Sequence, residues 1–146
     1  MFTQTLIQIF ERDLLHLKKE IESYPDQNKL WIAKEGISNS AGNLCLHLIG
    51  NLNHFIGFVL GNTGYTRNRD LEFSAKNIPV KDLAQSIDAV IDVVKKSLGS
   101  LSDDDLKKNF PVEKHGETVT TCFMLLHLVT HFNYHLGQIN YHRRLL

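Results

Sequence analysis

Between residues 127 and 142 the chain reads HLVTHFNYHLGQINYH, which holds His127, His131, His135 and His142, four of its eight histidines. A neutral imidazole is a ligand for divalent transition metals, and the same ring carries protons near neutral pH. Spacing decides what such a row can do. On a helix, residues four apart share a face, so His131 and His135 stand about 40° apart in azimuth and about 6 Å apart along the axis. One such pair can grip one ion, as the two histidines of an HExxH helix do. His127 and His135 lie about 12 Å apart along the axis, too far to converge when metal–nitrogen bonds are about 2 Å. A third ligand must come from another element.

The segment LCLHLIGNLNHF supplies two further histidines, His47 and His54. They are seven residues apart, hence about 20° apart in azimuth and about 10 Å apart in height on a helix, so one of the two can complete a site with an adjacent pair. Burying an unpaired imidazole costs on the order of 1–3 kcal/mol, and one shared ion offsets that cost for three rings together. Three neutral ligands with an open fourth position define a catalytic type of site, because a structural zinc site is normally closed. The bland alternative is that each histidine is a hydrogen-bonded core or interface residue.

Other chemistries lack their residues. A di-iron bundle needs two ExxH pairs and two more glutamates, and the chain has no ExxH; residues 41–60 and 127–142 contain no Asp or Glu at all. The GxSxG motif of a nucleophilic serine is absent, as is a phosphate-binding glycine loop. No residue stands out as a general base, which fits a mechanism in which a substrate's own thiolate attacks.

The elements that must position these histidines are read from hydrophobic periodicity. A first helix spans about residues 3–24, with Leu6, Ile9, Phe10, Leu14, Leu17 and Ile21 in register, and Pro25 stops it. A second runs from about Ala41 to Leu60, capped by Ser38, Asn39 or Ser40 and closed by Gly61. GNTGYTRNRDLEFSAKN then reads as a long polar loop, in which Arg67, Asp70 and Glu72 face solvent or reach the mouth of a site. A third helix covers Pro79 to Leu98. SDDDLKK reads as a short capped turn, and FPVEKHGETVT as a small hairpin-like excursion around His115-Gly116. The fourth helix runs from about Thr120 to Arg144. Four amphipathic helices predict an all-α fold, a four-helix bundle. The long second connection can carry the chain back along the bundle and so permits an up-down-down-up path.

Composition sets the outer bounds. With 146 residues the chain suits one domain, 1–146. Sixteen basic residues balance sixteen acidic ones, so no nucleic-acid partner is expected, nor a polybasic membrane anchor. No run of eighteen apolar residues is present, so no membrane span is expected. The first residues do not read as a signal peptide, and a cytoplasmic location is expected. Cys45 and Cys122 sit in apolar runs and read as buried free thiols.

HFNYHLGQI resembles the last-helix signature of the DinB-like superfamily, damage-inducible and bacillithiol-transferase-like four-helix proteins in which an HxxxH pair is followed by Gly-Gln. LHLIGNLNHFIG is similar to that superfamily's second-helix segment. The resemblance extends over the whole chain in order of elements and is nearest to a subgroup without assigned activity. It implies His47, His131 and His135 as the metal triad, with His54 and His127 outside it. It also implies a compact bundle in up-down-down-up order, a homodimer, and a divalent metal ion, zinc or nickel. The chemistry it implies is metal-dependent activation of a thiol or water, of thiol-S-transferase or hydrolase type, on a small-molecule thiol or electrophile. The rival expectation is a stress-related metal-binding bundle without turnover. One departure is Leu136, where an arginine commonly sits at the site mouth. Gly137 reads as a point of close helix approach, Gln138 as a helix contact or a partner for a ligand histidine. Asn51, Asn133 and Tyr134 are further candidates for the second ring nitrogen of the ligands.

Overall fold

In the computed structural model, which describes residues 1–146, the chain forms five α-helices and no β-strand: α1 (Phe2–Glu22), α2 (Ala41–Leu52), α3 (Arg69–Ser74), α4 (Val80–Gly99) and α5 (Thr121–Leu145). The four long ones make the bundle that the periodicity predicts. Polar pairs between helices give their directions. Asn133 Nδ2 donates to Asp13 Oδ2 at 2.6 Å, and Asn140 Nδ2 to Glu20 Oε1 at 2.8 Å, so α1 and α5 run parallel. Lys18 pairs with Asp88 and Lys95 with Glu11, so α4 runs against α1. His47 meets His131 while Leu44 faces the later residues of α5, so α2 runs against α5. The order is up-down-down-up.

The core is formed by Phe10, Leu14, Leu17 and Ile21 of α1, Leu48 and Leu52 of α2, Leu83 and Ile87 of α4 and Phe132 of α5, with Ile56 just beyond α2, all less than 2 % exposed. Each such side chain contributes about 1.5–3 kcal/mol by leaving water. On α5 the buried stripe is Leu125, Leu128, Phe132, Leu136 and Ile139. His131 and His135 each precede a member of it, which sets them about 100° around the helix, half-buried at the edge of the core on the α2 side. The opposite face of α5 leaves Phe123, Leu126, Tyr134, Tyr141 and Leu145 exposed.

Several boundaries differ from the sequence reading. Ser40 is the residue that caps α2, its Oγ accepting from Asn43 N at 3.2 Å. The second helix does not continue in α-helical form to residue 60; at Asn53–Phe58 it widens into a π-helix. There, Val59 N donates to His54 O at 3.0 Å and Gly61 N to Ile56 O at 2.9 Å. Gly61 does lie where the helical turns end, though the left-handed φ, 52°, falls on Asn62 after it. Gly61 is small because α4 passes close by, where a β-carbon would overlap Ser97 Oγ. The polar stretch 61–77 is not all loop, since it contains α3. Cys45 is buried, but Cys122 is only half-buried, and both are free. The excursion before α5 is hairpin-like as expected. Lys114 and Glu117 exchange both backbone hydrogen bonds, at 2.8 and 3.0 Å, across His115 and Gly116, with φ of 50° and 77°. Two consecutive positive φ values make the two-residue turn that matches strand twist. No helix is long and apolar enough to cross a membrane.

Candidate metal centre

The geometry of the centre is set by α2 and α5 crossing at their histidines. One nitrogen each from His47, His131 and His135 lies within 4.8 Å of the other two. Ring centroids are 5.1 Å apart for His47 and His131, 5.4 Å for His47 and His135, and 4.7 Å for His131 and His135. All three pairs are edge-to-face, with interplanar angles of 73–88°. His47 Nε2 and His131 Nε2 are 3.2 Å apart. Two nitrogens bound to one tetrahedral ion at about 2.0–2.1 Å are separated by about 3.3 Å, so this pair already stands at ligand spacing. Of the two histidines that the spacing on the second helix leaves open, His47 meets the α5 pair. His54 instead packs between Phe55 and Phe58, its centroid 4.8 and 5.7 Å from theirs. His127 lies one turn from His131, centroids 6.3 Å apart, and outside the cluster.

The second ring nitrogens show which way two of the imidazoles are held. Glu72 Oε1 and Arg67 Nη2 stand 3.0 and 3.3 Å from His47 Nδ1; the shorter contact, to a carboxylate that only accepts, places the proton on Nδ1. Gln138 Oε1 accepts from His135 Nδ1 at 2.7 Å. In both rings Nε2 is left with its lone pair free. A carbonyl or carboxylate partner on the remote nitrogen is the usual companion of a metal-binding histidine. His131 Nδ1 is buried without a partner among the protein groups. Asn51, Asn133 and Tyr134 do not serve this purpose. Asn51 Oδ1 is itself buried without a partner, Asn133 bonds Asp13 and Val129 O, and the Tyr134 side chain points into solvent, 66 % exposed.

Glu72 reaches His47 because a short helix carries it there. Asn68 caps α3, its Oδ1 accepting from Leu71 N at 3.1 Å. Asn43 on α2 then ties both ends of that turn down, Nδ2 donating to Glu72 O at 2.9 Å and Ala75 O at 2.8 Å. The carboxylate occupies the space over Gly50, one turn after His47, where a β-carbon would overlap Oε2. Arg67 closes the arrangement with a two-pronged ion pair, Nε to Oε2 at 2.9 Å and Nη2 to Oε1 at 2.8 Å. The side chains of Glu72 and Arg67 are 7 % and 13 % exposed. The expectation of a solvated loop therefore fails for these two residues and holds for Asp70, which is exposed. The sequence did carry a signal: Asn68 followed by acids at 70 and 72 is the start of a helix. Nothing in it showed that the second of these acids would turn inward.

Gly137 does not mark a close helix approach, since a β-carbon there would meet nothing within 4 Å. Leu136, the departure from the resemblance, is buried in the core at 7 % exposure.

Burial keeps His47 and His131 neutral. Desolvation pushes His131 down to about 4, assisted by the neighbouring His135 and His47 rings. Desolvation also lowers His47, and this outweighs the opposing pull of Glu72. Both rings therefore offer lone pairs at neutral pH. For the metal-free protein the same shift predicts acid sensitivity. The folded-state value of His131 lies below the unfolded value of about 6.5, so the unfolded chain binds the proton first. The associated stability is fully present above pH 6.5 and is lost as pH falls towards 4. Metal-free protein should melt at a lower temperature at pH 5 than at pH 7.5, with a smaller difference in His131→Gln. Equal melting temperatures in the parent, or an undiminished difference in the variant, would contradict this.

Comparison with known proteins agrees with this architecture. A crystal structure of a DinB-like protein from Bacillus cereus superposes with a TM-score of 0.74 at 15 % sequence identity, covering 97 % of this chain and 90 % of the other. At that identity the likeness speaks for the fold. No curated protein sequence matches the chain. The family model described as "Protein of unknown function (DUF1572)" matches residues 1–146. The chain belongs to this DUF1572 family, and its fold is that of a DinB-like helical bundle.

Proposed function

We propose that His47, His131 and His135 hold one divalent cation, zinc or nickel, and that the chain is a metal-dependent enzyme acting on a small molecule. The observation that carries this reading is the meeting of three imidazoles from two helices, two of them 3.2 Å apart through their Nε2 atoms. Such a cation supplies Lewis acidity, which lowers the pKa of a thiol or water and makes a nucleophile near neutral pH. The chain's own residues hold and orient. Glu72 fixes the His47 ring and its tautomer, Gln138 does the same for His135, and Arg67 balances the Glu72 charge. Three neutral ligands leave the cation its full charge, the condition for strong activation. Thiol transfer to an electrophile, or hydrolysis, is the proposed chemistry.

A second reading is supported by one observation. Glu72, the carboxylate that touches the cluster, is engaged by Arg67, so it is not a free general base. A stress-related metal-binding bundle without turnover fits that as well. The two are separated by assaying the zinc- and nickel-loaded protein with thiols plus electrophiles and with activated esters. The enzyme reading expects consumption that disappears on chelation and in His131→Ala. Intact metal binding with no turnover across both panels selects the second.

A further inference from the structure

Beside the histidine cluster lies a cavity of about 390 Å³ that no residue considered so far explains. It begins at His135 and Gln138 and runs along α5 to Tyr141 and Leu145. Its other wall is the Gly36–Asn39 segment, with Ile37 foremost, and Leu44 at the start of α2. The volume lies near the lower end of the 300–1,000 Å³ range of small-molecule pockets. Two properties of the lining bear on what it takes. None of the ten residues is Asp, Glu, Lys or Arg. Of the nearby guanidinium groups, Arg67 is held by Glu72 and Arg143 by Glu20, and Arg144 lies over the Tyr141 ring at the rim. A carboxylate seated between Ile37, Leu44 and His135 would leave its charge unpaired, at a desolvation cost. His142, the remaining ionisable side chain at the floor, is also satisfied, accepting from Tyr24 at Nδ1 at 2.5 Å and donating to Ile32 O from Nε2 at 2.8 Å.

We propose that this cavity is the substrate-binding pocket of the centre and that it takes an uncharged molecule with an apolar body, its reacting end at His135 and its body between Ile37, Leu44 and Leu145. The inference rests on the metal-centre reading for the placement of the reacting end, and on the cavity itself for the rest. Polar groups at Ser38, Asn39 and Gln138 leave room for neutral hydrogen-bonding substituents. Selectivity then comes from the length and neutrality of the body, because each buried methylene strengthens binding about fourfold, from about 0.8 kcal/mol.

The test uses zinc-loaded full-length protein titrated with ethanethiol, 1-hexanethiol and glutathione, followed by calorimetry and by methyl NMR. The proposal expects 1-hexanethiol to bind at least about tenfold more tightly than ethanethiol, and glutathione to bind no better than ethanethiol. It expects the Ile37 and Leu145 methyl signals to shift with 1-hexanethiol. Ile37→Arg and Leu145→Glu alter side chains that are 41 % and 72 % exposed, so folding should survive. They should abolish the chain-length preference while ethanethiol binding persists. Equal affinity for the two alkanethiols, a preference for glutathione, or methyl shifts confined to other parts of the bundle would overturn the pocket assignment and leave the metal centre standing. If the protein takes up no zinc, metal-free protein is titrated with 1-hexanol. Shifts at Ile37 and Leu145 then uphold the pocket without the metal reading, and their absence overturns both.

Discussion

Replacing any one of His47, His131 or His135 by alanine should cut zinc affinity by roughly 10²–10³-fold, while His54→Ala and His127→Ala leave it within about threefold. The magnitude follows from dividing the roughly 10–16 kcal/mol of a tight four-ligand zinc site among its ligands. That gives about 2.5–4 kcal/mol for each, with every 1.4 kcal/mol worth tenfold. The contrast is sharpest on α2, where His47 and His54 occupy similar azimuths about two turns apart. His47 touches His131, whereas His54 stacks on Phe58. Competition titrations against a chromophoric chelator, with circular dichroism to confirm folding, measure both. Loss of zinc in His54→Ala with retention in His47→Ala would place the third ligand at the wrong end of the helix.

The second large effect concerns the support behind His47. Glu72→Ala should cost about 3–5 kcal/mol of stability, because it leaves the Arg67 guanidinium buried without its counter-charge. It should also weaken zinc binding by about 10–100-fold, the usual cost of removing a ligand's hydrogen-bond partner. The double variant Glu72→Ala/Arg67→Ala separates these two contributions. It should recover most of the stability, since the orphaned charge is gone, and none of the zinc affinity, since His47 Nδ1 still lacks its acceptor. Gly50→Ala should mimic the single variant, because the added methyl claims the space of the Glu72 carboxylate. Urea denaturation and zinc titration on the same four proteins provide the check. Zinc affinity that returns together with stability would show that Glu72 matters only as a partner for Arg67.

The parts of this account that were legible in the sequence share a physical origin. The bundle could be read because amphipathic helices of about twenty residues repeat their apolar positions with the helical period, and burial enforces that pattern throughout. The His131–His135 pair could be read because i, i+4 spacing fixes a shared face regardless of the surrounding fold. The third member was less accessible. Periodicity alone left His47 and His54 equivalent, and only the register of α2 against α5 distinguishes them. That register follows from non-local contacts, the packing of Leu48 and Leu52 in one core with Phe132 and the meeting of His47 with His131. None of these has a local signature.

Glu72 was harder still. Its approach to His47 depends on three separate facts: an Asn68 cap that starts a six-residue helix, an Asn43 side chain that pins that helix to α2, and a missing side chain at Gly50. Each is unremarkable alone in a polar stretch. The π-helical widening at 53–58 is likewise a tertiary matter, associated with the close passage of α4 at Gly57 and Gly61.

Elemental identification in crystals of protein purified without added metal or chelator bears most directly on the central claim. Diffraction data collected on both sides of the zinc and nickel absorption edges should give one anomalous peak per chain, within about 2.0–2.3 Å of a nitrogen from each of His47, His131 and His135. Soaking in zinc should fill the position if it is only partly occupied. A peak at some other group of residues, or a folded protein whose three imidazoles stay free of density after soaking, would contradict the account.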